Sequence, residues 1–131
     1  MNKNDCESYF AAGNSYLQTA IKGHRRSSVF TDSMIYHILC LSIEKFLMGL
    51  FCCHNAIPEH HTLSNMIREA ASFAEMPEDL MEQIEAMDNV LNLCDPSAPL
   101  KATLTESQLQ AMLKVGEKVR DLVSGHLPRA A

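Results

Sequence analysis

The run Met34-Ile-Tyr-His-Ile-Leu-Cys-Leu-Ser-Ile-Glu-Lys-Phe-Leu-Met-Gly-Leu-Phe-Cys-Cys53 is apolar on nearly every face. A helix with no wet side must be covered by neighbouring helices or by lipid. Such a run would rise about 30 Å, the thickness of a bilayer core. Glu44 and Lys45 sit in its middle, however, and each would cost about 2.5 to 3.5 kcal/mol at a bilayer centre. In a soluble bundle the pair needs only one narrow exit to water, with the Lys stem lying over apolar surface. The run therefore predicts the central helix of a soluble bundle, with no membrane as partner.

The remaining chain supplies the cover. Tyr9, Phe10, Gly13, Tyr16, Leu17, Ala20 and Ile21 follow three-and-four spacing, which predicts a first helix over about Asp5 to Lys22. Gly23-His-Arg-Arg-Ser-Ser28 breaks the pattern, and Thr31 or Ser33 offers an N-cap for the central helix, which should end near His54-Asn55 ahead of Pro58. A third helix is predicted from His61 or Thr62, with Leu63, Met66, Ile67, Ala70, Ala71 and Ala74 facing inward. Pro77 suits the first position of a fourth, acidic at its start with Glu78 and Asp79, and lined inside by Leu80, Ile84, Met87 and Leu91. Asp95-Pro-Ser-Ala-Pro99 reads as a linker within the fold. Thr105-Glu-Ser-Gln108 spells a capping box for a last helix, buried along Leu109, Met112, Gly116, Val119 and Val123 and capped by Gly125. The expected fold is all-α: one domain over residues 1–131, a single antiparallel up-and-down bundle of about five helices. Eight Met, no Trp and few alternating β-branched runs agree with helices rather than a sandwich or barrel.

A net charge of −5 argues against a chain that is cationic as a whole, so any nucleic-acid contact must be local. Lys22, His24, Arg25 and Arg26 form the local basic cluster, placed beside the start of the central helix, where free backbone donors would also attract a phosphate. The commoner outcome for such a cluster is a solvated charged loop. The five Cys are odd in number and lack CxxC pairs, and the start of the chain has no apolar signal region, which points to a reducing cytoplasm. Cys40, Cys52, Cys53 and Cys94 read as small buried hydrophobes. Cys52-Cys53-His54 and Glu59-His60-His61 flank one short loop with ligands zinc accepts, but the spacing matches no standard motif; neither metal nor cofactor is expected.

Between Ile43 and Ala70, the order Glu44-Lys45 among apolar neighbours, a short Pro-containing loop, His61-x-Leu63 and an amphipathic helix reaching Arg68-Glu69-Ala70 resembles the HEPN family (higher eukaryotes and prokaryotes nucleotide-binding). The early Tyr and Ala helix and the final Val119-Arg-Asp-Leu-Val123 helix fit the same layout. The resemblance implies an antiparallel bundle, commonly a homodimer, acting as a nucleotide- or RNA-binding accessory module beside a minimal nucleotidyltransferase in a toxin-antitoxin-like pair. Under it Glu44, Lys45 and His61 join the basic cluster as candidate ligand-binding residues. Members that cut RNA pair an Arg with a His four to six residues on, and Arg120-Asp121-Leu-Val-Ser-Gly125-His126 has that spelling. The alternative is thus a metal-independent endoribonuclease: Arg120 would steady phosphate charge and His126 would move a proton, across a dimer. Chance alone supplies about half such a match in a chain of this make-up. Gly125 should also end the helix before His126, leaving that His on a loose tail. A purely structural interaction protein completes the expectations.

Overall fold

The computed structural model describes residues 3–26, 29–92 and 104–128. Five helices make up these residues, with no strand among them: α1 Lys3–His24, α2 Asp32–Cys53, α3 Leu63–Ala70, α4 Glu78–Asn92 and α5 Glu106–Ser124. The all-α bundle expected from the apolar periodicity is the observed one. The predicted linker Asp95–Pro99 and Cys94 lie outside the described residues.

α2 occupies the middle and is covered on most of its faces, as a largely apolar helix must be. It is long and apolar enough to cross a membrane by length and composition, and 61% of its most apolar window is buried within the protein itself. Ile35, Tyr36, Leu39, Ile43, Phe46, Leu47 and Leu50 are all 1% exposed or less. The Thr31 side chain accepts from the Met34 N–H to start the helix, and His54 closes it. Thr105 and Gln108 cap α5 reciprocally, as their spelling requires.

Small residues set how closely the helices approach. A Cβ on Gly13 would lie 2.7 Å from the Phe46 ring, and one on Gly116 would lie 2.8 Å from Leu39 and 3.0 Å from Leu17, so α1, α2 and α5 meet where side chains are missing. Ser42, wholly buried, donates its hydroxyl to the Gly13 carbonyl at 2.7 Å, which satisfies the polar group in the middle of the apolar run.

The paired residues also give the helix directions. Gly13 meets Phe46 and Gly23 meets Phe30, so α1 and α2 run antiparallel. α3 begins beside the first half of α2, and Phe73 just beyond it stacks edge-on with Phe51 at 5.1 Å, so α3 runs in the same sense as α2, a departure from the strict up-and-down order expected, and the loop of residues 54–62 makes the return. Ser64 with Asp88 and Arg68 with Glu85 then turn α4 back along α3.

Three local expectations are corrected. Tyr16 is 36% exposed rather than inward, since the core-facing stripe of α1 runs through Gly13, Leu17 and Ala20. Pro77 precedes the first helical residue of α4 and contributes its carbonyl to the Met81 N–H, the position of a cap. Ala71, expected to face inward, is exposed just beyond the last residue of α3. Gly125 caps α5 as expected, with an ordinary right-handed backbone, φ −67°.

Candidate functional site

A cleft of 600 Å³ opens between the first half of α2, the start of α3 and the inner face of α4. Its walls are His37, Cys40, Leu41 and Glu44 from α2, residues 61–65 around the α3 start, and Asp88 and Asn89 from α4. His37, Leu41 and Glu44 recur at helical spacing, so they form the strip of α2 that its neighbours leave uncovered. This strip is the exit to water that Glu44 needs.

The far wall is held in place by carboxylates. Glu69 accepts the Glu59 N–H at 2.9 Å and meets His60 Nδ1 at 3.2 Å. The Glu59 N–H chiefly, and the His60 contacts next, hold the Glu69 carboxyl below the usual range. The loop is thereby pinned to α3, and His61 is delivered to the mouth of the cleft. Asp88, 8% exposed, accepts the Ser64 N–H at 2.6 Å and the Ser64 hydroxyl, so it caps α3 from α4. Tyr36 donates its phenol to the Met87 carbonyl and ties α2 to α4 beside Asp88.

Cys40 reports the electrostatics of this wall. Its thiol is pushed up to about 12, first by burial and then by the Asp88 and Glu44 carboxylates, against a hydrogen bond with Tyr36 that pulls the other way. A group both carboxylates can push upward sits in a negative field. Cys53 is likewise pushed up to about 12, by burial and then by a hydrogen bond with Cys6, while burial raises Cys52. A raised pKa makes a thiol a poor nucleophile, and Cys52 is buried as expected, whereas Cys40 and Cys53 are only half-buried.

Of the sequence candidates, the cleft brings together Glu44 and His61. Lys45, next to Glu44, points elsewhere: its ammonium lies 5.9 Å from the Tyr9 ring centre, in a separate surface depression with Asp5 and Ser8. Lys22, Arg25 and Arg26 are exposed at the end of α1, and His24 Nε2 meets Glu106 Oε1 at 2.7 Å, so the basic cluster is apart from the cleft and partly neutralised. The Arg120 Nε–H is given to Asp121 at 3.1 Å. His126 is not on a loose tail. Its Nδ1 lies 3.1 Å from Nε2 of His54, whose ring also packs on Phe73 at 4.9 Å. Removal from water and then His126 lower the pKa of His54. Among the described residues no hydrogen bond or ion pair joins Arg120 to His126. Among the described residues no three His, Cys, Asp or Glu side chains gather as a metal site, and the loop considered for zinc is instead closed by Glu69 on His60.

The sequence reading missed His37, Asn65, Asp88 and Asn89. Two signals were available: His37 stands seven residues before Glu44 on one helix face, and Asp88 falls one turn after Ile84 on the inner stripe of α4. A carboxylate on an apolar stripe requires a partner, here Ser64.

No family model, curated protein or solved structure matches this chain.

Proposed function

We propose that the chain is a HEPN-like helical accessory module of the cytoplasm that binds a nucleotide or RNA in the α2–α3–α4 cleft. It works as a homodimer, beside a minimal nucleotidyltransferase in a toxin-antitoxin-like pair. One observation carries this reading. Glu44 and His61, two residues on which the family resemblance rests and which stand seventeen positions apart in sequence, open onto one cleft of 600 Å³. That size lies within the range of small-ligand sites, about 300 to 1,000 Å³, and polar groups converge on a partly apolar floor. The endoribonuclease alternative is weaker, because Arg120 spends its Nε–H on Asp121 and His126 is engaged by His54.

The test is calorimetric titration of the chain with nucleotides and short single-stranded RNA. Binding should weaken about tenfold or more in Glu44→Gln and in His61→Ala, each removing one polar contact in a part-buried site. Both variants should keep the wild-type melting temperature. Failure of the wild type to bind any member of the panel rejects the ligand reading.

A further inference from the structure

From the make-up of the cleft walls we infer that this site grips a guanine-type base, a planar heterocycle presenting a ring N–H and an exocyclic amine side by side, and leaves phosphate outside. The inference rests on the proposed ligand-binding role of the cleft and adds which part of the ligand enters it.

Phosphate is disfavoured for three reasons. The fixed charges on the wall are the carboxylates of Glu44 and Asp88, and among its described residues there is neither Lys nor Arg. The start of α3 would ordinarily attract an anion through its free N–H groups. Two of those donors are already taken: Asp88 accepts the Ser64 N–H at 2.6 Å, and the Thr62 hydroxyl accepts the Asn65 N–H at 3.4 Å. The chain's own carboxylate thus fills the place a phosphate would use. The thiol of Cys40, driven upward by burial and by both carboxylates, marks the same negative field.

Glu44 supplies the positive selection. It is half-buried on the wall, and no described residue hydrogen-bonds its side chain. An ionised carboxylate only accepts, through two parallel oxygens. Its best neutral partner is a group with two parallel donors, since paired charge-assisted bonds add geometry as well as strength. The Watson–Crick edge of guanine offers that pair. Adenine sets an acceptor beside its amine, uracil an acceptor on each side of its N–H, and hypoxanthine lacks the amine. Asp88 cannot play the same part, because Ser64 occupies one of its oxygens twice. Leu41, Leu63 and Cys40 supply apolar surface for the faces of the ring.

The experiment titrates the full chain with guanosine, inosine, adenosine, uridine and guanosine 5′-monophosphate. It is run at pH 8, where ordinary imidazoles are neutral, and at two salt concentrations. Guanosine should bind about tenfold or more tighter than inosine, adenosine or uridine, and Glu44→Gln should remove that preference while melting as the wild type does. The monophosphate should bind no more than about threefold tighter than guanosine, with little salt dependence. Equal binding of adenosine and guanosine, or a monophosphate much tighter than its nucleoside with steep salt dependence, overturns the base assignment and leaves the nucleotide-binding reading standing. Absence of binding by every compound overturns both.

Discussion

The pKa of His54 is lowered from two sides: it is drawn partly out of water, and it faces a second imidazole at 3.1 Å. Two rings at that distance can share one proton but not carry two without repulsion. The folded pKa is therefore lower than the ordinary 6.5, removal from water being the larger cause. The sign follows from linkage: below 6.5 the unfolded chain takes up a proton that the folded chain resists. This contribution to stability is complete above pH 6.5 and drains away as the pH falls towards the depressed value. The exposure of His54 makes the effect modest. In urea unfolding between pH 7.5 and 5.5, above the range in which Glu69 titrates, the wild type should lose stability on acidification and His54→Ala should have a shallower slope. Equal slopes in the two proteins would show that folding does not lower the His54 pKa.

At the scale of helices, the seam of α1 on α2 depends on a missing side chain. Alanine at Gly13 would gain about 0.5 to 1 kcal/mol of helix propensity. Its Cβ would also sit 2.7 Å from the rigid Phe46 ring, closer than real atoms approach. Overpacking of that kind costs about 1 to 3 kcal/mol, so a net loss of up to about 2.5 kcal/mol is expected for Gly13→Ala. Phe46→Leu should recover part of it in the double variant, because the two positions touch; a stabilised Gly13→Ala would refute the packing account. The seam was partly legible beforehand. The apolar run of α2 and the Thr31 and Thr105 caps are local patterns, readable because each acts within a few residues. Gly13 could be placed on the inner stripe, but the ring it accommodates could not be named, since that depends on the axial register of two helices. The cleft was less legible still. Its shape follows from the loop return that sets α3 alongside α2, and that return is fixed by Glu69 reaching back to residues 59 and 60. The pairing of His126 with His54 depends likewise on where the end of α5 falls against the end of α2.

At the scale of the whole molecule, the four helices around the one apolar helix do not cover everything. Met34 is 45% and Leu41 41% exposed on α2, and Val29, just before it, is 66% exposed. Leu41 belongs to the cleft, whereas Met34 stands two turns nearer the start of the helix and Val29 beyond that. Self-association would remove this apolar surface from water, at about 25 cal/mol per Å². In a twofold dimer the same patch of each chain faces itself, so a charge placed near the axis meets its own copy. Met34→Glu should then dissociate the dimer by burying two like charges while leaving the melting of the isolated chain unchanged, because residue 34 is exposed within one chain. By light scattering at tens of micromolar, the wild type should run at twice the chain mass of 14.6 kDa and Met34→Glu at the chain mass itself. A wild type of single-chain mass would remove the dimer from the proposed function. A dimeric Met34→Glu would leave the dimer in place and move its interface away from the start of α2.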